Sequence, residues 1–277
     1  MILNISNNTD IIRYYPEWMI KRFENGIFGI ETAKQNTVYE LSPKNFELLV
    51  FQTKDPTNIV PYYKTLSEQG YNMLFIVTLT PYGNDIEPNL NKKEVYNSIK
   101  SLSKLCGKER IIWKYAPIVF NNEFNLEYHI KKFKAMSKKL FPYVSGCICE
   151  FLEYYEPPIH LSLYTIEMSN EEKKTLLHSF YVTAKEYNII LYSKHLKHNL
   201  NCMLREKIKE LCNIEATEEI PVLDMGLKNT CKGMCEYCNC GGNKYFTDRN
   251  CIPNSPIMIG NVDTTKRFVK KKAKLIL

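Results

Sequence analysis

Short apolar runs alternate with amphipathic helical stretches along most of this 277-residue chain, and that alternation restricts the fold more than any other feature. Ile2 to Ile5 reads as a strand, and Pro16 to Phe23 as a helix opening on proline, whose missing amide hydrogen costs nothing in a first turn. Leu48 to Thr53 is a strand, followed by a helix from Val60 to Gln69 that stops at Gly70. Met73 to Thr80, rich in β-branched and apolar residues, is the clearest strand. The next helix opens at Asn91 with Glu94 three residues on, a capping pattern, and its face is Val95, Ile99, Leu102, Leu105 and Cys106. Arg110 to Tyr115 follows as a strand, then a helix capped by Asn125 presenting Ile130, Phe133, Met136 and Leu140. Cys147 to Leu152 is a strand, and Ser169 with Glu172 starts a helix carrying Leu176, Phe180 and Ala184. Ile189 to Tyr192 is a sixth strand, and Leu204, Ile208, Leu211 and Cys212 mark a last helix.

Six strand–helix units predict an α/β fold with a parallel sheet, (β/α) barrel-like, a partial or closed TIM-type barrel. A doubly wound open sheet has the same periodicity and stays open as an alternative. The expected organisation is a barrel body over 1–228, a Cys-rich loop over 229–262 packed on it, and a basic tail over 263–277. At 44% hydrophobic and 24% charged residues the chain is not mostly disordered. No run approaches the ~18 to 20 apolar residues of a membrane helix. The N-terminus has neither a basic region nor a long apolar core, so no secretion signal or membrane partner is expected, and the expected location is cytoplasmic. The net charge of +7 comes mostly from Lys266, Arg267, Lys270, Lys271, Lys272 and Lys274. No aromatic is repeated through this run, so a solvated end is preferred over a nucleic-acid contact.

Ten cysteines without a secretion signal argue against a disulfide framework. Five of them, Cys231, Cys235, Cys238, Cys240 and Cys251, fall within 21 residues. The core of this segment is C-x-x-x-C-x-Y-C. Three thiolates on a short glycine-containing loop suit three irons of a [4Fe–4S] cluster, with the fourth iron left for a non-protein ligand. The spacing resembles the signature of radical S-adenosylmethionine enzymes. That resemblance implies Cys231, Cys235 and Cys238 as iron ligands and Tyr237 beside the adenine of S-adenosylmethionine. A structural zinc site is the alternative, with Cys240 or Cys251 as a fourth thiolate. Cys106 and Cys212 continue apolar helix faces, Cys147 and Cys149 share one strand face, and Cys202 is a weak further ligand. His129 and His178 lie within helices, and His195 and His198 in a lysine-rich stretch, where surface or core roles outweigh catalysis.

In folds of this kind chemistry collects after the strand C-terminal ends. Polar groups expected there are Thr9 and Asp10; Thr53, Lys54 and Asp55; Thr80, Tyr82 and Glu87; Lys114; Glu150 and Glu153. Of these, Thr53, Lys54, Thr80, Tyr82, Glu87 and Lys114 are candidates for lining a cofactor and substrate cavity. Lys54 and Lys114 would hold a carboxylate or phosphate, and Glu87 would orient an amine or take a proton.

Several segments together resemble an uncharacterised bacterial family, the domain-of-unknown-function 1848 family. They are Thr9-Asp10-Ile11, Phe51 to Pro56, Thr78 to Gly83 with Ile86-Glu87-Pro88, Ile112 to Ile118, Tyr128-His129, Cys231 to Cys238, and Pro253-Asn254-Ser255-Pro256. The family resembles a radical S-adenosylmethionine barrel whose cluster loop has moved to the C-terminal end, and the loop is similar to that of spore photoproduct lyase. The chain departs from the family pattern at Asn8, at Lys114-Tyr115-Ala116-Pro117, before Asp224, and at Asn239-Cys240. The resemblance implies an iron–sulfur enzyme that reductively cleaves S-adenosylmethionine to modify a small-molecule or nucleotide-related substrate. It implies an electron donor such as ferredoxin or flavodoxin as partner. The alternatives are a zinc-stabilised barrel and a nucleic-acid-binding protein with structural cysteines.

Overall fold

The computed structural model describes residues 1–7, 9–31, 35–152, 163–196, 206–211, 221–226, 230–238, 251–258 and 267–271. Its main sheet contains β1 (Ile2–Ile5), β4 (Leu48–Thr53), β5 (Met73–Thr78), β6 (Ile111–Ile118), β7 (Gly146–Phe151), β8 (Ile190–Tyr192) and β9 (Val222–Asp224), all paired in parallel. The order is β8-β7-β6-β5-β4-β1-β9. Consecutive strands are therefore neighbours, and the last returns to the outer side of the first. From β1 through β8 the strands are laid down in one direction, and only β9 lies on the other side of β1. The fold is a mixed α/β one built on a seven-stranded parallel sheet, with β8 and β9 at its two edges among the described residues.

Helices α1 (Ile11–Tyr14), α2 (Pro16–Asn25), α3 (Tyr63–Glu68), α4 (Lys92–Cys106), α5 (Leu126–Leu140) and α6 (Asn170–Glu186) fill the connections. The expected caps form. Asn91 accepts from the Lys93 and Glu94 amides, Asn125 from the Tyr128 amide, and Ser169 with Glu172 makes a full capping box. Helix α2 runs two residues past the expected end and stops at Gly26, whose φ of 65° is open to glycine at little cost. The helix expected from Val60 begins instead as a 3-10 turn over Val60–Tyr62. A helical turn over 206–211 carries Ile208 and Leu211, whereas Leu204, Cys212 and Cys202 lie outside the described residues.

A small second sheet was not expected. Strands β2 (Ile27–Glu31) and β3 (Gln35–Glu40) pair antiparallel, and β10 (Arg267–Lys271) adds to β3 in parallel. Part of the basic run expected to be a solvated end is thus a strand of the body. Against β2 lies the Pro253 to Pro256 segment: the Gly29 amide donates to the Pro256 carbonyl at 2.7 Å. A Cβ on Gly29 would meet Ile257 at 3.1 Å, so glycine permits the approach. Trp18 Nε1 donates to the Ser255 and Ile257 carbonyls, and Arg22 to that of Pro253.

The strands alternate strictly between two faces. Leu3, Leu49, Phe51, Phe75, Trp113, Tyr115, Cys147 and Cys149 face the helices and join their apolar stripes in the larger core. Ile2, Leu48, Val50, Leu74, Ile76, Ile112, Ile148 and Tyr192 face the other way, and Ile208 and Leu211 cover them at one end. Cys147 and Cys149 are fully buried packing residues with their sulfurs 3.7 Å apart. No helix among the described residues is long and apolar enough to cross a membrane.

The tightest part of the larger core is the stack of Phe133 on Phe180, ring centroids 3.9 Å apart, with Trp113 parallel to Phe133 at 5.2 Å. Phe133→Ala opens a cavity between α5, α6 and β6 and is expected to cost about 3–5 kcal/mol in a urea unfolding titration.

Candidate functional site

The C-terminal ends of the parallel strands open into a cleft of about 430 Å³. Its floor is the inner face of the sheet, through Gln52, Thr78, Lys114 and Glu150. Asp10, Arg13, Tyr14, Thr53 and Lys54 form one side, and Cys231, Gly233, Cys235, Tyr237 and Cys238 close another.

The cysteine segment is fastened to the strand ends at both flanks. The Tyr15 hydroxyl donates to the Thr230 carbonyl at 2.6 Å, and the Thr9 and Thr230 hydroxyls pair. Further along, the Glu236 amide donates to the Ile86 carbonyl at 3.1 Å. Cys235 and Tyr237 are buried among Tyr82, Ile86, Val119 and Phe124. Between the flanks the loop folds tightly, with Met234 at φ 51°. Gly233 lies under the sulfurs: a Cβ there would be 3.3 Å from Cys231 Sγ and 3.6 Å from Cys235 Sγ. Glycine thus leaves a cradle that a side chain would fill. The amides of Asp10 and Gly233 donate to the Cys231 sulfur, although burial still pushes its thiol up. Burial pushes the Cys235 thiol up to about 12 despite the nearby Lys54 ammonium. Metal coordination removes that proton outright. Three thiols on one wall over a glycine cradle suit, in kind, the soft-metal groups expected from the sequence. Among the described residues, no three His, Cys, Asp or Glu side chains converge closely enough to hold a single ion. Cys251 is half buried against the larger core, and Cys240 lies outside the described residues.

Behind the cysteine wall sits a buried carboxylate with four donors. Glu87, 1% exposed, accepts from Lys54 Nζ at 2.5 Å and from the Tyr237 hydroxyl on one oxygen. On the other it accepts from Thr80 and Lys92 Nζ, both at 2.6 Å. Burial alone would raise this carboxyl, but the two ammonium groups hold it at about 2. Glu87 therefore stays ionised at neutral pH and is a poor proton acceptor. Burial would lower Lys54, yet the Glu87 carboxylate, with a smaller share from negative charge on the sulfurs of Cys235 and Cys238, leaves it above its usual value. Lys54 also lies 4.8 Å over the Tyr237 ring. Burial and Glu87 together push the Tyr237 phenol well above its usual range.

Thr53, Lys54, Lys114, Tyr237 and the three cysteines line the cleft, whereas Thr80, Tyr82 and Glu87 do not. Thr80 and Glu87 belong to the layer behind Lys54. Tyr82 is packed among aromatic rings, donating to the Pro117 carbonyl and accepting from the Val119 amide, so its hydroxyl is fully employed. Asp10 organises the opposite side: its carboxylate accepts from the Thr53 hydroxyl at 2.7 Å and the Lys54 amide at 2.8 Å. Burial outweighs these bonds and raises its pKa. Lys114 pairs with Glu150 at 3.0 Å. Asn8 and Glu153 lie outside the described residues.

Sequence reasoning missed Gln52, Thr78, Arg13, Tyr14 and Lys92. The period-2 alternation Leu48, Val50, Gln52 carried the signal for the first of these. Nothing marked Lys92, which reads as an ordinary first-turn lysine. His129 is a core brace, accepting from the Tyr115 hydroxyl on Nδ1 and donating from Nε2 to the Val119 carbonyl, the tautomer the carbonyl requires. Burial holds it down to about 4. His178 and His195 are exposed, and His198 lies outside the described residues.

Glu87→Gln leaves two buried ammonium groups without their counter-charge and is expected to lose about 3–5 kcal/mol in urea unfolding. His129, whose folded pKa is depressed, contributes stability that is complete above pH ~6.5 and lost as pH falls through about 4. Unfolding free energy measured from pH 7 to 4 is expected to decline with a slope that His129→Gln reduces.

Among solved structures the chain is similar to the HMG-CoA lyase of Brucella melitensis, at 11% identity and TM-score 0.35, covering 95% of this chain and 87% of that one. It is also similar to the carboxyl transferase domain of Rhizobium etli pyruvate carboxylase, at 10% identity and TM-score 0.30, covering 81% and 40%. No curated protein matches it. A family model described as "Domain of unknown function (DUF1848)" matches residues 2–240, from β1 through the cysteine loop, and the chain belongs to that family.

Proposed function

We propose that the chain is an iron–sulfur enzyme of the radical S-adenosylmethionine kind, acting on a small molecule held in the cleft. The observation that carries this reading is the position of Cys231, Cys235, Cys238 and Tyr237 on one wall of a cavity at the strand C-terminal ends. A four-iron cluster binds each thiolate at a different corner, so it takes a wider triangle of sulfurs than a single zinc ion. Bound there, a [4Fe–4S] cluster would supply the electron for cleaving S-adenosylmethionine.

The chain's own groups have separable tasks. Lys54 keeps a positive charge near Cys235 and Cys238, favouring thiolate over thiol. Glu87 fixes Lys54 and Tyr237 together, so that Tyr237 is a rigid aromatic wall for an adenine. Asp10 holds the Lys54 backbone, and Lys114 stands across the floor as a carboxylate or phosphate contact. Such an enzyme requires a one-electron donor such as ferredoxin or flavodoxin.

Anaerobic purification followed by iron, sulfide and zinc analysis tests the reading. About four irons and four sulfides per chain are expected, most of them lost in Cys231→Ala. One zinc and no iron would overturn the reading in favour of a zinc-braced barrel.

A further inference from the structure

The inner face of the sheet changes character towards the cleft. Leu48, Val50, Leu74, Ile76, Ile112 and Ile148 are buried and apolar. The next inward positions towards the strand C-terminal ends are Gln52 and Thr78, with Lys114 following Ile112 and Glu150 following Ile148. These four polar residues come from four consecutive strands and all line the cleft. A floor of this kind is built to meet polar atoms.

Its hydrogen-bonding sense is fixed from one side. Asp224 can only accept, and it accepts from Asn4 Nδ2 at 2.9 Å and Asn7 Nδ2 at 3.1 Å. Asn4 must therefore turn its carbonyl the other way, where it accepts from Gln52 Nε2 at 2.9 Å. That leaves the Gln52 carbonyl oxygen as the acceptor in the floor. At the other end Lys114 Nζ and Glu150 Oε2 are 3.0 Å apart, 28% and 29% exposed, with hydrogen-bonding capacity left over on both.

The ion pair selects by charge. A purely anionic ligand on Lys114 draws it from Glu150 and leaves a carboxylate uncompensated; a purely cationic ligand does the reverse. A zwitterion with its two charged groups on one carbon meets both partners at once. We infer that this floor binds the α-amino carboxylate end of an amino acid or amino-acid derivative: carboxylate on Lys114, ammonium on Glu150, with Gln52 accepting a further N–H. As the substrate class of the proposed enzyme this rests on that reading, whereas the binding itself needs no cluster.

Norleucine is the probe, because it has no sulfur to ligate iron; hexanoate lacks its ammonium and pentylamine lacks its carboxylate. In calorimetric titrations norleucine is expected to bind about ten-fold or more tightly than either control. Lys114→Met and Glu150→Gln are each expected to weaken it by about ten-fold, while Lys114→Arg, which keeps the pair, and Cys231→Ser, which removes only the cluster wall, retain it. Thermal melts of each variant without probe separate lost binding from lost folding. Equal binding of the three probes, no binding of norleucine, or full binding by folded Lys114→Met and Glu150→Gln would overturn the inference. S-adenosylmethionine carries the same end group, so a last titration adds it to the iron-loaded protein. Norleucine that stays bound assigns the floor to the substrate, and displacement overturns that assignment. Loss of binding in Cys231→Ser would move the amino acid to the cysteine wall and overturn the floor, whatever the iron analysis gives.

Discussion

Glu87 is the joint on which the cleft depends. One carboxylate in the protein interior gathers Lys54 from the end of β4, Thr80 and Lys92 from either side of its own loop, and Tyr237 from a segment 150 residues away. A buried charge is tolerable only when its lone pairs are satisfied, and here both oxygens are doubly employed. Two cations around one anion leave a net positive charge in this network. The cysteine wall sits next to that charge, so the network supplies the mechanical attachment of the loop, and Lys54 offsets part of the burial that pushes the Cys235 thiol up. The same arrangement takes Glu87 out of proton transfer. A carboxylate held near 2 is an anchor, and the carboxyl groups that line the cleft are Asp10 and Glu150.

The body of the fold was legible because its signals are local. The strand runs at Leu48 and Met73, the caps at Asn91, Asn125 and Ser169, and the helical faces with Phe133 and Phe180 all act within a few residues. Where the sheet's ends lie was not legible, since it turns on β9 pairing with β1 across more than 200 residues. The β2–β3 hairpin escaped for a different reason. Its strands mix polar and apolar residues and carry Gly29, kept small by a segment that arrives from Pro256.

For the site, residue type was a better guide than position. Thr53, Lys54 and Lys114, named from strand-end placement, and the cysteines and Tyr237, named from their spacing, all line the cleft. Tyr82, Thr80 and Glu87 come from the same kind of loop but turn away from it, because that loop folds back on the sheet and packs Tyr82 against Phe124 and His129. Gln52 and Thr78 were overlooked because they close strands that read as wholly apolar. Their meaning appears only when each strand is split into its two faces.

The pairing of β1 with β9, and of Thr9 with Thr230, also sets an order of events during synthesis. β1 is made before the other strands of its sheet, yet its outer edge lacks β9 until residues 222–224 have left the ribosome. Throughout that interval the nascent sheet presents an open edge of Ile2, Leu3, Asn4 and Ile5, the kind of edge that recruits foreign strands. The apolar sheet can assemble progressively from β4 to β8, but the cleft is finished only by its last-made wall. Until the C-terminal part of the chain arrives, Glu87 lacks Tyr237 and Asn4 lacks Asp224, and the polar end of the sheet stays open to water.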